Sequence, residues 1–379
     1  MNCCVSGLDR HKYRCEKVGK MYTKTLEFIK NIALGKKNDP ISRFRLFAVN
    51  GKKTVILGKN QVGMYWANRL KNMGIPVCGF CEYRHSADGE IAFDEVLREN
   101  YNVCICSIEF DGESKIAHEL AANGNKYVDY TFIVNNRFEQ HYNTEYILEN
   151  LDRYYEAYEL LEDEDSGESF LALMKYRMTR NPLCLIKASY PQYFHPVVRP
   201  VPGDVVLEAG GYDGETAIEV AECMRDRGSV IVFEPNEKNM EMIQKNVAQS
   251  GLKSIRPVPL GLWNKEGKLS FHDDASASIV MDSGEGDISV TTIDNYVSKN
   301  KLAVDLIKLD IEGSEAEVLE GAVHTITFYQ PKLQISVYHK VNDLWELMLK
   351  IHDINPYYKF YLGHHTKSIG ETVVYAIVS

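Results

Sequence analysis

The stretch Val205-Val-Leu-Glu-Ala-Gly-Gly-Tyr-Asp-Gly-Glu-Thr216 runs from an apolar strand signal into a glycine turn and then into helix formers that continue to Cys223. It reads as strand, tight turn, helix. Glycines at 210, 211 and 214 let a backbone approach a ligand without a β-carbon in the way. A helix starting near Gly214 directs unpaired N–H groups and a positive dipole end toward the turn. The spacing, Glu208-x-Gly210-x-x-x-Gly214, departs from the Gly-x-Gly-x-x-Gly of a pyrophosphate binder and places an acid at the strand end. An acid repels phosphate and suits a cation.

S-adenosylmethionine carries an ammonium and a sulfonium and no phosphate, so its charge fits Glu208 where that of NAD does not. A second strand, Val230 to Phe233, ends in Glu234-Pro235-Asn236, where a carboxylate commonly takes both ribose hydroxyls. The expected cofactor-binding set is therefore Glu208, Gly210, Gly211, Tyr212, Gly214 and Glu215 in the first turn, with Glu234, Pro235 and Asn236 in the second.

Further strands are read at Ser254–Pro259, Asp305–Asp310 and Lys332–Tyr338, and Phe360–Leu362 with Thr372–Val378 closes the sheet as an antiparallel pair. The polar segment Asp273–Asp287 reads as an insertion between two short strands. In an open α/β sheet ligands bind at the carboxyl ends of the strands, which here carry Glu208, Glu234, Asp310 and His339. Ser314 is placed to cap the helix Glu315–Gly321.

Upstream, Thr54-Val-Ile-Leu57, Gly58-Lys-Asn-Gln-Val-Gly63 and a strand ending at Glu82 form a smaller Rossmann-like pattern. Asn60 stands where a dinucleotide fingerprint needs its middle glycine, which points to a structural or partner-binding domain, with nicotinamide binding as the rival. Residues 1–50 read as a helical segment, with Val18–Ala33 as a packing or homodimer helix, 51–140 as the small α/β domain, 141–192 as a helical linker and lid, and 193–379 as the main domain. Within the linker, Tyr142, Tyr146, Tyr154, Tyr155 and Tyr158 suit inter-domain packing, and the acidic run Glu162–Glu168 suits a solvated connection. Tyr190, Gln192, Tyr193 and Phe194 suit a lid. On this division, residues from about 170 onward are expected to bind the cofactor alone.

A net charge of −10 over 379 residues, with no basic stripe, argues against a nucleic-acid substrate. No apolar run reaches the length of a membrane span, and charges break the first thirty residues, so a cytoplasmic protein is expected. Nine cysteines, an odd number partly set in apolar strands, suit reduced thiols. Cys3, Cys4 and Cys15 lack a matching second ligand pair, and no metal is assigned.

From about Tyr193 to Ser379 the chain resembles the FkbM family of S-adenosylmethionine-dependent methyltransferases. Asp305-Leu-Ile-Lys-Leu-Asp-Ile-Glu-Gly-Ser-Glu-Ala-Glu-Val-Leu-Glu-Gly-Ala322 follows the family's Ile-Lys-x-Asp-x-Glu-Gly-x-Glu…Val-Leu-x-Gly-Ala signature, and Ser336-Val-Tyr-His-Lys340 resembles one subgroup. The resemblance implies a doubly wound class I methyltransferase sheet behind the smaller Rossmann-like domain, and O-methylation of a sugar or another small or conjugated hydroxyl acceptor. The rival classes are an NAD-dependent sugar oxidoreductase and a non-catalytic cofactor-binding scaffold. For catalysis, His339 near its ordinary pKa of about 6.5 is expected to be the base, beside Asp310, with Lys308 as the ion-pair partner of Asp310. The competing account has Asp310 and Glu312 holding a divalent ion.

Overall fold

The computed structural model describes residues 51–83, 89–107, 114–129, 144–274, 277–281 and 288–378. The helix expected over Val18–Ala33 and the cysteines at 3, 4 and 15 lie outside these residues.

A small parallel sheet comes first. Its strands β1 (Thr54–Leu57), β2 (Val77–Cys81), β3 (Asn102–Ile105) and β4 (Tyr127–Asp129) lie in the order β2-β1-β3-β4. The continuous apolar runs of β1 and β3 are buried throughout, as strands covered on both faces require. Helix Gln61–Asn72 links β1 to β2 and buries Trp66 and Leu70. Its N-terminus is satisfied from within: the Asn60 side chain accepts from Gly63 N–H and donates to the Cys106 carbonyl. Gly63 is needed by the turn itself, because a β-carbon there would lie 1.9 Å from the Gly58 carbonyl oxygen.

The larger sheet begins with parallel β5 (Val205–Ala209), β6 (Ser229–Phe233) and β7 (Ile255–Val258). The chain then builds a side sheet from β8 (Gly261–Leu262), β9 (Gly267–Asp274), β10 (Ala277–Met281) and β11 (Ile288–Thr291), in the order β10-β9-β11-β8. Within the segment expected as a polar insertion, β9 runs on to Asp274 and β10 pairs back antiparallel from Ala277 to Met281, where the apolar run Ile279-Val280-Met281 favours a strand. Strands β12 (Leu306–Leu309) and β13 (Lys332–Ser336) return to the larger sheet. The expected antiparallel closure is present, with β14 (Tyr358–His364) paired to β15 (Thr372–Val378) and β15 to β13. The order β14-β15-β13-β12-β5-β6-β7 reverses direction between β5 and β12, the crevice where such folds hold ligands.

Helices Leu151–Glu159 and Glu164–Thr179 join the two sheets into one core, which runs from Ile56, Trp66 and Cys104 through Tyr154, Phe170 and Met174 to Leu207, Leu309 and Phe360. Tyr154 packs edge-on against Phe170 and Trp345, which is the packing role its sequence position suggested. The acidic run is not a solvated linker. Asp163 accepts from Ser166 N–H at 2.8 Å as an N-cap, and Glu164 and Asp165 occupy the first helical turn, where the helix dipole favours carboxylates. A fragment starting near 170 would divide this helix inside its buried stretch, with Ser166, Ser169 and Phe170 on either side of the cut.

Candidate active site

The turn after β5 is shaped by the strand beside it. Gly210 adopts φ +83°, and a β-carbon on it would lie 1.7 Å from the Asp310 carbonyl oxygen; one on Gly211 would lie 2.4 Å from Val232 Cγ1. These glycines therefore let the turn descend between β12 and β6. Gly214, at φ +86°, precedes helix Glu215–Cys223 as its N-cap, and Tyr212, at φ +46°, is 67% exposed at the rim. Glu215 N–H is already taken by the Asp213 side chain at 3.1 Å.

Glu234, at the end of β6, is almost wholly buried and accepts from Tyr212 N–H at 3.2 Å through one oxygen and from Asn236 N–H at 2.9 Å through the other. A carboxylate has about four acceptor positions, so capacity for ribose hydroxyls remains. Burial raises its pKa above the usual carboxylate value, and those two backbone donors oppose the shift. The Asn236 side chain caps helix Glu237–Ser250, accepting from Lys238 and Asn239, so it serves that helix. Pro235 lies beside Gly261, whose β-carbon would stand 3.7 Å from the proline Cβ.

Glu208 and Lys308 point to the same side from paired positions of β5 and β12. Lys308 Nζ donates to Glu208 Oε1 at 3.0 Å and to the Gly210 carbonyl at 3.5 Å, and lies 4.8 Å from the Tyr193 ring centroid. The expectation that Lys308 pairs directly with Asp310 is corrected: its contact is Glu208, because cross-strand neighbours in register are nearer than residues two apart on one strand. Burial opposes the ammonium, but the charges of Glu208 and Asp310 outweigh it and hold the lysine pKa above its usual value. Glu208 Oε2 is buried without a hydrogen-bond partner. That orphaned acceptor, the glycine cradle beside it and the Glu234 carboxylate beyond it fit a cationic nucleoside ligand.

Asp310 follows β12 and receives hydroxyl hydrogen bonds from Tyr193 at 2.8 Å and Tyr338 at 3.2 Å. Tyr193 comes from the segment expected as a lid, and this segment is pinned: Gln334 Nε2 donates to the carbonyls of Tyr193 and Val198, and Tyr193 N–H donates to Tyr375. Burial would raise the Asp310 pKa, but His339, Lys308 and the tyrosine hydrogen bond bring it below the usual range.

His339 is fully enclosed among acids. Its Nε2 stands 3.4 Å from Asp310 and 3.9 Å from Glu312, and its Nδ1 stands 2.9 Å from Glu315. Burial alone would lower the imidazole pKa, yet the carboxylates, Glu315 foremost, raise it to about 10. The expectation of a histidine poised near 6.5 is corrected: the ring is an imidazolium at neutral pH, with no lone pair to take a proton. Single ligand atoms of Asp310, Glu315 and His339 lie within 4.8 Å of one another, a spacing a metal ion can use. The two imidazole nitrogens face different carboxylates, however, so the ring already acts as their common counter-charge. Ser314 makes no side-chain cap; Glu315 instead accepts from Ile311 N–H at 2.9 Å. Glu312 adopts φ +56° with a side chain about half exposed, outside the trio.

Two further groups reach this edge. Glu371, just before β15, receives the Gln192 amide at 2.6 Å and faces the Tyr338 hydroxyl at 3.5 Å. Neither Glu371 nor Tyr338 was singled out from the sequence, and Glu315 was noted only as a helix start. For Glu315 the signal was available, as the last acid of the Glu-Gly-x-Glu motif. For Glu371 there was none, since its partners lie 33 and 179 residues away.

A glycine turn after the first strand of a doubly wound sheet, with acids after the second and fourth, is the arrangement of a class I methyltransferase fold. Residues 208–360 match the model of the methyltransferase FkbM domain. A curated relative, the 2-O-methyltransferase NoeI of Sinorhizobium fredii, is 26% identical over 149 residues, covering 33% of this chain and 60% of that protein. The chain thus matches less than two thirds of the relative's length. A solved structure, the methyltransferase FkbM of Methylobacillus flagellatus, superposes with a TM-score of 0.71 at 20% identity, over 94% of this chain and 99% of that one, so the two share a fold. Among the described residues no helix is long and apolar enough to cross a membrane.

Proposed function

We propose that this methyltransferase acts on a hydroxyl of an uncharged, polyhydroxylated acceptor, a sugar or glycoconjugate. The observation that carries the reading is the edge around Asp310, where two carboxylates, Asp310 and Glu371, and two tyrosine hydroxyls, Tyr193 and Tyr338, form one hydrogen-bonded group. Carboxylates accept from sugar hydroxyls, tyrosines both donate and accept, and rings lie against the apolar faces of sugars. Such a surface repels anionic acceptors. The name of the relative, a 2-O-methyltransferase, is in keeping with it.

S-adenosylmethionine supplies an electrophilic methyl group when bound. On the cofactor side, Glu234 holds the ribose hydroxyls, the Gly210–Gly214 turn with Tyr212 and Glu215 supplies the floor, Pro235 and Asn236 fix the second turn, and Glu208 presents its spare oxygen to the cationic part. On the acceptor side, Asp310 orients the hydroxyl. His339 is a positioning residue that keeps Asp310 and Glu315 anionic, and Lys308 ties the glycine turn to β12. The small N-terminal sheet, at 51–140, buttresses the acceptor side through the helices of 141–192 and carries no redox chemistry; the domain from 193 onward carries transfer.

Incubation with methyl-labelled S-adenosylmethionine and a fractionated cell extract tests the reading. Mass spectrometry of the labelled product should locate the methyl on an ether oxygen of a sugar. A methyl on nitrogen, sulfur or nucleic acid would refute it.

A further inference from the structure

We propose that Glu371 receives the proton of the acceptor hydroxyl, its carboxylate aimed by Gln192 and joined to Asp310 through Tyr338. This rests on the hydroxyl-acceptor reading above. Three features set Glu371 apart from the other acids of the edge. Its backbone adopts φ +61°, a left-handed conformation costly for a residue with a β-carbon, at the point where the β14–β15 loop enters β15. The loop is locked there, since His365 N–H donates to the Glu371 carbonyl and Val337 N–H to that of Thr372, which sets Glu371 beside the end of β13. Its side chain is held at Oε2 by Gln192 at 2.6 Å, and its Oε1 faces, at 3.5 Å, the Tyr338 hydroxyl that donates to Asp310 at 3.2 Å.

The third feature is charge. Asp310 and Glu315 have His339 against them and Glu208 has Lys308, whereas among the described residues no lysine, arginine or histidine lies within ion-pair distance of Glu371. The titratable groups that face it are Asp310, His339 and Lys308 from the strand ends, with the hydroxyls of Tyr193 and Tyr338. Burial first, and then the Asp310 charge, raise the Glu371 pKa above the usual carboxylate value, against the opposing pull of Gln192, His339 and Lys308. A more basic carboxylate at the acceptor edge is the better proton acceptor. In the step, an oxygen electron pair of the acceptor forms the new O–C bond to the methyl carbon. The C–S bond breaks with its electron pair left on sulfur, giving the neutral thioether. The hydroxyl proton passes to Glu371, which is partly exposed and returns it to water.

The test measures initial rates of label transfer into the extract fraction that holds the wild-type product, across pH, with cofactor affinity from calorimetry. Glu371→Gln is expected to lower kcat by about 10²-fold or more with cofactor Kd unchanged. It should also abolish the fall of kcat/KM at low pH, which in the wild type lies above the ordinary glutamate pKa of about 4.3. Glu371→Asp should retain that fall at a reduced rate. Gln192→Ala, which only loosens the aim, should lower kcat several-fold and keep the fall, and this decides the matter should Glu371→Gln not fold. Full turnover by either Glu371→Gln or Gln192→Ala, or an acid fall that persists in Glu371→Gln, overturns the proposal while an ether product leaves the hydroxyl reading standing. A product methylated on nitrogen or sulfur overturns the hydroxyl reading itself.

Discussion

His339→Gln separates two roles for the histidine, because the imidazolium described here and a neutral base leave opposite pH signatures. The folded pKa is raised to about 10 by Glu315, Asp310 and Glu312, against about 6.5 for the unfolded chain. A group whose folded pKa is raised stabilises fully below its unfolded value and loses that contribution as pH climbs to the folded one. The whole shift corresponds to about 5 kcal/mol at about 1.4 kcal/mol per unit, and about 2 kcal/mol of it falls between pH 8 and 10. That upper window is the one to read, since the Asp343 carboxyl, pushed up to about 7 by burial and Glu315, titrates in the same cluster below it. Urea unfolding of wild type and His339→Gln at pH 8, 9 and 10 should show a stability gap that narrows steadily with pH. The variant should be the less stable throughout, because it leaves buried Glu315 without its cation. The wild-type rate should show no rise centred near pH 6.5. A gap constant from pH 8 to 10, or a rate that rises through pH 6.5 and loses that rise in His339→Gln, would refute the imidazolium.

Other outcomes follow from the same geometry. Glu234→Ala should weaken S-adenosylmethionine binding by about 2 to 4 kcal/mol, measured by calorimetry, through loss of charge-assisted hydrogen bonds; an unchanged affinity removes Glu234 from the cofactor site. Gly210→Ala should abolish cofactor binding and lower the melting temperature, since the new β-carbon would meet the Asp310 carbonyl at a left-handed φ. NAD and NADP should not bind at micromolar concentration, because Asn60 already caps the helix after β1 and Glu82 already accepts Lys59 N–H at 2.6 Å; a micromolar Kd by fluorescence titration would revive a redox domain. Methyl transfer should survive EDTA, given that His339 supplies the positive charge between Asp310 and Glu315; loss of transfer with EDTA and recovery with magnesium would favour an ion at that trio.

The local signals were enough to define the larger sheet and its cofactor half. Val205–Gly214 and Val230–Asn236 each pack an apolar strand, a turn and a helix cap into ten residues or fewer, and such short-range order is written in adjacent side chains. The antiparallel closure by β14 and β15 was legible for the same reason. The acidic run misled because six polar residues and a glycine say only that one face meets water; Asp163 caps its own helix, and Ser166 accepts from the Leu362 N–H, a contact that exists only once β14 lies alongside. Tertiary structure alone decided which charges meet. Lys308 is two residues from Asp310 and a hundred from Glu208, yet sheet register selects Glu208. A histidine ending a strand carries no sign of its protonation state in the sequence. Asp310 from the loop after β12 and Glu315 from the helix that follows converge on His339, and burial of the ring removes the water that would screen them, so the ring holds its proton.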